Sequence, residues 1–180
     1  IMPSLVGSEM CIRDRFLCGF MGCGKTTIGK TLSRLLGCGY CDMDELIVKK
    51  AGMSIPEIFE KKGESYFRNM ETELIKELGN FKGLVSCGGG AMLSDVNGKL
   101  AAENGCVLFL DTPFETCYKR IAGDKNRPVA ASRTREQLRE LYDERYPKYL
   151  KNSGYSVNCE GTPFEISGNI SKLLKEKGEI

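Results

Sequence analysis

Short apolar runs recur at Phe16 to Cys18, Tyr40 to Met43, Leu84 to Cys87, Val107 to Leu110 and Tyr155 to Val157. Each suits a buried strand, and the segments between them carry a helical period instead. Ile28, Leu32, Leu35 and Leu36 follow the first run at helical spacing. Phe67, Met70, Leu74 and Leu78 mark the inner face of a helix over Glu64 to Leu78. Strands alternating with helices predict an α/β fold, a parallel five-stranded sheet flanked by helices. Polar positions punctuate it. Capping boxes are expected at Ser54 with Glu57, Thr112 with Glu115, Thr134 with Gln137 and Thr162 with Glu165, with Pro113 and Pro163 at first helical positions. Gly63 is expected to end one helix before the next begins. Gly123 to Thr134 lacks an apolar period and reads as a small lid between two helices.

Between the first strand and the first helix stands Gly19-Phe20-Met21-Gly22-Cys23-Gly24-Lys25-Thr26, which fits G-x-x-x-x-G-K-[ST] at every fixed position. Glycines let successive N–H groups converge on phosphate oxygens, and the helix that follows adds its positive dipole end. A three-layer phosphate-loop NTPase fold is therefore expected. Gly22, Cys23, Gly24, Lys25, Thr26 and Thr27 are the nucleotide contacts, with Lys25 reaching the β- and γ-phosphates and Thr26 binding Mg²⁺.

Composition narrows the picture. The chain of 180 residues suits one domain, and its net charge of +2 gives no electrostatic reason to bind nucleic acid. No apolar run reaches membrane-span length. Nine cysteines spread through strands and helices read as reduced thiols of a cytoplasmic protein, and Cys38-Gly39-Tyr40-Cys41 as packing. With no histidine, Ser-His and Cys-His nucleophilic mechanisms are excluded. Residues 1–15 match neither the rest of the chain nor a targeting peptide. They resemble the in-frame translation of a sequencing-library adapter, so residues 1–15 are expected to be a non-native tail and 16–180 the kinase-like domain. Cys11 to Arg15 would then supply a makeshift first half of the strand that feeds the phosphate loop.

A phosphate loop specifies a nucleotide but not the acceptor. Asp42-Met43-Asp44 lies at the carboxyl end of the second strand, where α/β sheets bind ligands, and alternation predicts a common outlook for the two carboxylates. One could organise Mg²⁺ or its water while the other takes a hydroxyl proton; Asp44 is also placed to cap the next helix. Arg68 stands early on a helix, an end unfavourable to a cation unless an anion is bound, with Glu71 three residues on to orient it or simply to pair with it. Gly88-Gly89-Gly90 follows a buried strand and leaves backbone bare for a ligand or for a turn. Arg127-Pro128 in the lid and Arg145-Tyr146-Pro147 at a helix end add guanidiniums suited to phosphate or carboxylate.

In this order, G-F-M-G-x-G-K-T, D-x-D, F-R-x-x-E, G-G-G, R-P and Y-x-x-R-x-P-x-Y (Tyr142 to Tyr149), the chain from Phe16 onward resembles the shikimate kinases. The resemblance implies ATP-dependent phosphorylation of the 3-hydroxyl of shikimate, on the route to chorismate and aromatic amino acids, with Mg²⁺ as cofactor. Lys25, Asp44 and Arg127 are the implied catalytic residues. Asp44 would hold ring hydroxyls and serve as base, and Arg127, delivered by the lid, would neutralise the transferring phosphoryl group. Arg68 and Arg145 would clamp the carboxylate, with Gly88, Gly89 and Gly90 presenting backbone to shikimate. Thr26 would bind the metal directly, Asp42 and Ser86 through water. Arg120 matches the position that stacks on adenine, and Ile55, Phe59 and Phe67 match the apolar wall of the acceptor pocket. A cytoplasmic monomer with no nucleic-acid or membrane partner is expected.

Two departures stand out: Cys23 replaces a smaller loop residue and brings a thiol open to alkylation, and Val129-Ala130-Ala131-Ser132 aligns with no lid pattern. A gluconate kinase shares the architecture and a hydroxylated carboxylate acceptor, but the Asp42/Asp44 pair with Phe67-Arg68 and Arg145-Tyr146-Pro147 favours shikimate. A non-catalytic nucleotide-binding module would have little need of Asp44 and Arg127.

Overall fold

The computed structural model describes residues 13–122 and 132–180. Five parallel strands, β1 (Asp14–Cys18), β2 (Gly39–Asp42), β3 (Gly83–Ser86), β4 (Gly105–Asp111) and β5 (Tyr155–Asn158), form one sheet in the order β2-β3-β1-β4-β5. The helices are α1 (Lys25–Leu36), α2 (Met43–Ala51), α3 (Ile55–Lys62), α4 (Glu64–Glu77), α5 (Asp95–Asn104), α6 (Phe114–Ile121), α7 (Arg135–Lys151) and α8 (Pro163–Glu176). Helix α1 packs on α8 and β3, whereas α4 packs on α5 and α5 on β4. None of the described helices is long and apolar enough to cross a membrane.

Burial explains why the apolar runs became strands. Phe16, Leu17, Cys18, Leu84, Val85, Leu108 and Leu110 are all fully buried in the middle of the sheet. Register then sets the functional edge. Ser86 pairs with Leu17 on one side and Asp42 on the other, so the segments after β1, β2 and β3 leave the sheet side by side at its carboxyl edge.

Three expected capping boxes form, at Ser54, Thr134 and Thr162. The fourth does not. Pro113 caps α6 with no side-chain bond, because the Thr112 hydroxyl is spent on the Cys23 carbonyl of the phosphate loop, 3.1 Å away. Gly63 does separate α3 from α4, at φ +83°. Pro147 lies inside α7 rather than at its end, and the helix continues to Lys151. A proline costs one rung of the ladder; burial of Tyr149 two residues on gives the helix a reason to continue.

The first two residues of β1 depart from the apolar pattern. Asp14 and Arg15 are each 1% exposed in the central strand. Asp14 accepts from the Gly83 N–H, and burial raises its pKa against those backbone bonds. The Arg15 guanidinium donates to the Glu179 carbonyl at 2.8 Å, while its Nε and Nη1 find no partner among the described residues.

Candidate active site

The phosphate loop joins β1 to α1, and Gly24 caps α1 in the left-handed region at φ +102°, a conformation that disfavours any other residue there. The Lys25 ammonium donates to the Gly19 carbonyl at 2.8 Å and the Phe20 carbonyl at 3.1 Å, and lies 3.6 Å from Cys23 Sγ. Cys23 is 1% exposed, so its thiol is packed inside the loop instead of open to alkylating reagents. A cavity of about 480 Å³ borders the loop; Gly22, Gly24, Lys25, Thr26, Thr27 and Arg120 line its nucleotide side, and Asp42, Asp44 and Gly89 its far side.

The two aspartates reach this cavity differently from what strand alternation predicts. Strand β2 ends at Asp42, which is itself the helix cap: its Oδ1 accepts from the Asp44 and Glu45 N–H groups. Asp44 therefore lies in the first turn of α2, not on the strand, and the cap is Asp42 rather than Asp44. The other Asp42 oxygen accepts from Thr26 Oγ1 at 3.4 Å. Ser86 is buried and accepts from the Tyr40 hydroxyl at 3.0 Å, which also lies 3.5 Å from Asp42. Tyr40 is thus a link between the expected metal-site residues that no motif signalled.

Arg68 bonds Glu71 at 2.8 Å and Glu64 at 3.0 Å. Burial opposes its charge, yet Glu71 and Glu64 beside it outweigh burial and raise its pKa. Glu71 is 0% exposed, and burial pushes its pKa up to about 7 although Arg68 pulls the other way. One Glu71 oxygen meets Arg68; the other has no hydrogen-bond partner among the described residues and lies near Asp44 across Gly88. A Cβ on Gly88 would come 2.7 Å from Asp44 Oδ1 and 2.9 Å from Glu71 Oε1, so only glycine leaves room for the two carboxylates there. The sequence marked Glu71 as a partner of Arg68 but not its depth.

A folded-state pKa raised from 4.5 to about 7 means that the folded protein binds this proton more tightly than the unfolded chain. The Glu71 contribution to stability is therefore full below pH 4.5 and is lost as pH rises through 7. Denaturant unfolding of the wild type and Glu71→Gln across pH 4.5 to 7.5 is expected to show that only the wild type loses this increment; parallel profiles would refute the assignment.

Gly90 touches the Arg68 guanidinium, and a Cβ there would stand 2.7 Å from Arg68 Cζ. Its backbone, at φ −106°, accepts alanine without strain. Gly90→Ala is expected to displace the guanidinium and raise the KM of a carboxylate acceptor about tenfold, with the unfolding midpoint unchanged. An unchanged KM would separate Arg68 from acceptor binding.

Arg120 donates to the Gly22 carbonyl at 3.0 Å and also borders a second cavity of about 200 Å³, closed by Ile28, Gly161, Pro163 and Ile166. That narrow, partly apolar slot beside the phosphate loop suits a planar base; Gly161, Pro163 and Ile166 belong to it only through tertiary packing. Arg145 lies beside the buried Tyr149 hydroxyl. Phe59 and Phe67 pack against each other, ring centroids 5.0 Å apart, with the Arg68 guanidinium 5.4 Å from the Phe67 ring, but neither lines the larger cavity. Arg127, Pro128 and the expected lid up to Ala131 lie outside the described residues.

Sheet order, loop and cavity define a phosphate-loop α/β protein with a nucleotide side and a second side furnished with carboxylates and arginine. The family model described as "Shikimate kinase" matches residues 21–175. The chain is 45% identical over 167 residues to the shikimate kinase of Geobacter sulfurreducens, covering 91% of this chain and 92% of that one. It is 40% identical over 161 residues to that of Persephonella marina, covering 88% and 97%. The structure of shikimate kinase from Acinetobacter baumannii in complex with shikimate superposes with a TM-score of 0.85 at 38% identity, covering 92% of this chain and 94% of that one. The chain belongs to the shikimate kinase family.

Proposed function

We propose that this chain transfers the γ-phosphoryl group of ATP to the 3-hydroxyl of shikimate. The observation that carries the reading is that Lys25 and Thr26 share one cavity with Asp44 and Gly89, within a chain of the shikimate kinase family. Phosphoryl transfer needs positioning and charge neutralisation more than covalent help. Lys25 exchanges its loop carbonyls for phosphate oxygens. Asp44 orients the acceptor hydroxyl and takes its proton, while Arg68, held by Glu64 and Glu71, meets the carboxylate together with Arg145. The N–H groups of Gly88, Gly89 and Gly90 complete the acceptor side, with Phe59 and Phe67 as its apolar flank. Arg127 is assigned to the transferring phosphoryl group on the family resemblance alone.

Thr26 Oγ1 and Asp42 Oδ2, 3.4 Å apart at the start of α1, are the hard oxygen donors that Mg²⁺ prefers, with Ser86 behind them through Tyr40. When bound, the ion neutralises charge on the β- and γ-phosphates. The eight described cysteines are free thiols, which supports a reducing cytoplasmic setting, and we take the enzyme to act as a monomer. ADP release measured with shikimate, gluconate and nucleoside monophosphates tests the reading: turnover is expected with shikimate, and its absence would overturn it.

A further inference from the structure

Helix α7 carries Tyr142, Tyr146 and Tyr149 at steps of four and three, so the three rings share one face. Each hydroxyl is spent at the carboxyl edge of the sheet. Tyr142 donates to the Thr112 carbonyl at 2.9 Å, and the buried Thr112 hydroxyl donates in turn to the Cys23 carbonyl of the phosphate loop at 3.1 Å. The Tyr142 ring also meets Phe20 of that loop edge to face, centroids 5.2 Å apart. Seven residues on, Tyr149 is 1% exposed, stacks on Phe109 and donates to the Gly89 carbonyl at 2.5 Å. Tyr146 instead donates to Asp111 Oδ2 at 2.9 Å, a strand residue of neither loop.

A trans peptide is planar, so holding a carbonyl on one side sends the next N–H to the other. Holding the Cys23 carbonyl aims the Gly24 N–H, and holding the Gly89 carbonyl aims the Gly90 N–H. These two amides belong to the phosphate loop and the acceptor loop respectively. We infer that Tyr142, acting through Thr112, and Tyr149 are positioning residues that tie donor and acceptor loops to one rigid helix and so fix the distance between the two substrates. The inference rests on the shikimate kinase reading. Effective reaction of two bound groups depends on such fixed spacing, since small misplacements cost large factors in rate.

The two arms predict opposite kinetic signatures, which a merely structural role would not produce. Tyr142→Phe and Thr112→Val are expected to raise the ATP KM about fivefold and leave the shikimate KM within twofold; Tyr149→Phe is expected to do the reverse. Tyr146→Phe should move neither beyond twofold. Equal effects on both substrates, or a lower melting temperature with both KM values unchanged, would overturn the inference. Absence of shikimate turnover in the wild type would instead sink the functional reading, and amide hydrogen exchange then decides the positioning role. Tyr149→Phe should speed exchange at Gly90 and Ala91 alone, and Thr112→Val at Gly24 and Lys25 alone; uniform acceleration refutes it. If Tyr149→Phe does not fold, exchange in the unsubstituted protein serves. Protection of the Ala91 N–H, which donates to the Gly88 carbonyl at 3.1 Å in the same loop, without shikimate supports the inference, and protection only after shikimate is added overturns it.

Discussion

Asp44→Asn is expected to lower kcat for shikimate by about 10²- to 10⁴-fold, with the shikimate KM changed by less than about threefold. Asparagine keeps the shape of the side chain and one acceptor oxygen, so ring hydroxyls are still held. It loses the basicity needed to take a proton as the phosphoryl group arrives. Asp44 is suited to that task by position: it stands in the first turn of α2, where the helix dipole favours a negative charge, and it faces the phosphate loop across the cavity. Glu71 lies on the far side of Gly88, with a buried oxygen that no hydrogen bond from the described residues satisfies. A steady-state assay varying both substrates separates the roles. A raised KM at unchanged kcat would make Asp44 a binding residue and not the base.

The second large effect is on stability. Arg15→Met is expected to raise the free energy of unfolding by about 1–3 kcal/mol, because exchanging a buried charge for a well-packed apolar side chain is commonly stabilising. Arg15 lies in β1 between β3 and β4, opposite Leu84 and Cys106, and two of its three guanidinium nitrogens are buried without a partner among the described residues. Methionine retains the length and flexibility of the stem, so no large void replaces the head group. Urea unfolding measures the change, and a loss of stability would show that the bond to the Glu179 carbonyl outweighs the burial cost. The charged pair Asp14 and Arg15 is thus buried in the central strand opposite Gly105, Leu84 and Cys106.

The apolar runs located all five strands to within two residues, and the central three announce themselves most plainly because a strand buried on both faces must be apolar on both. The phosphate loop was legible for a related reason. Its function is performed by backbone amides, and the glycines, lysine and threonine that allow it are contiguous in sequence. Three caps were legible as well, but the one at Thr112 was not, since its hydroxyl had a distant competitor in the Cys23 carbonyl. Likewise, strand alternation was extended two residues too far, from Asp42 to Asp44, where the capping bonds had already turned the chain into α2.

Sequence by itself thus determined the fold class, the nucleotide loop and the set of charged side chains available for an acceptor, because each depends on residues adjacent in the chain or on a linear order of motifs. Tertiary structure alone decided how those groups meet. Gly88 became the gap between Asp44 and Glu71, Gly90 the neighbour of Arg68, Pro163 the wall opposite Arg120, and Tyr149 the partner of Gly89. Such contacts join residues from different elements, and the depth that raises Glu71 to about pKa 7 exists only once α4 has packed. No local pattern encodes a distance set by the register of five strands and the helices laid upon them.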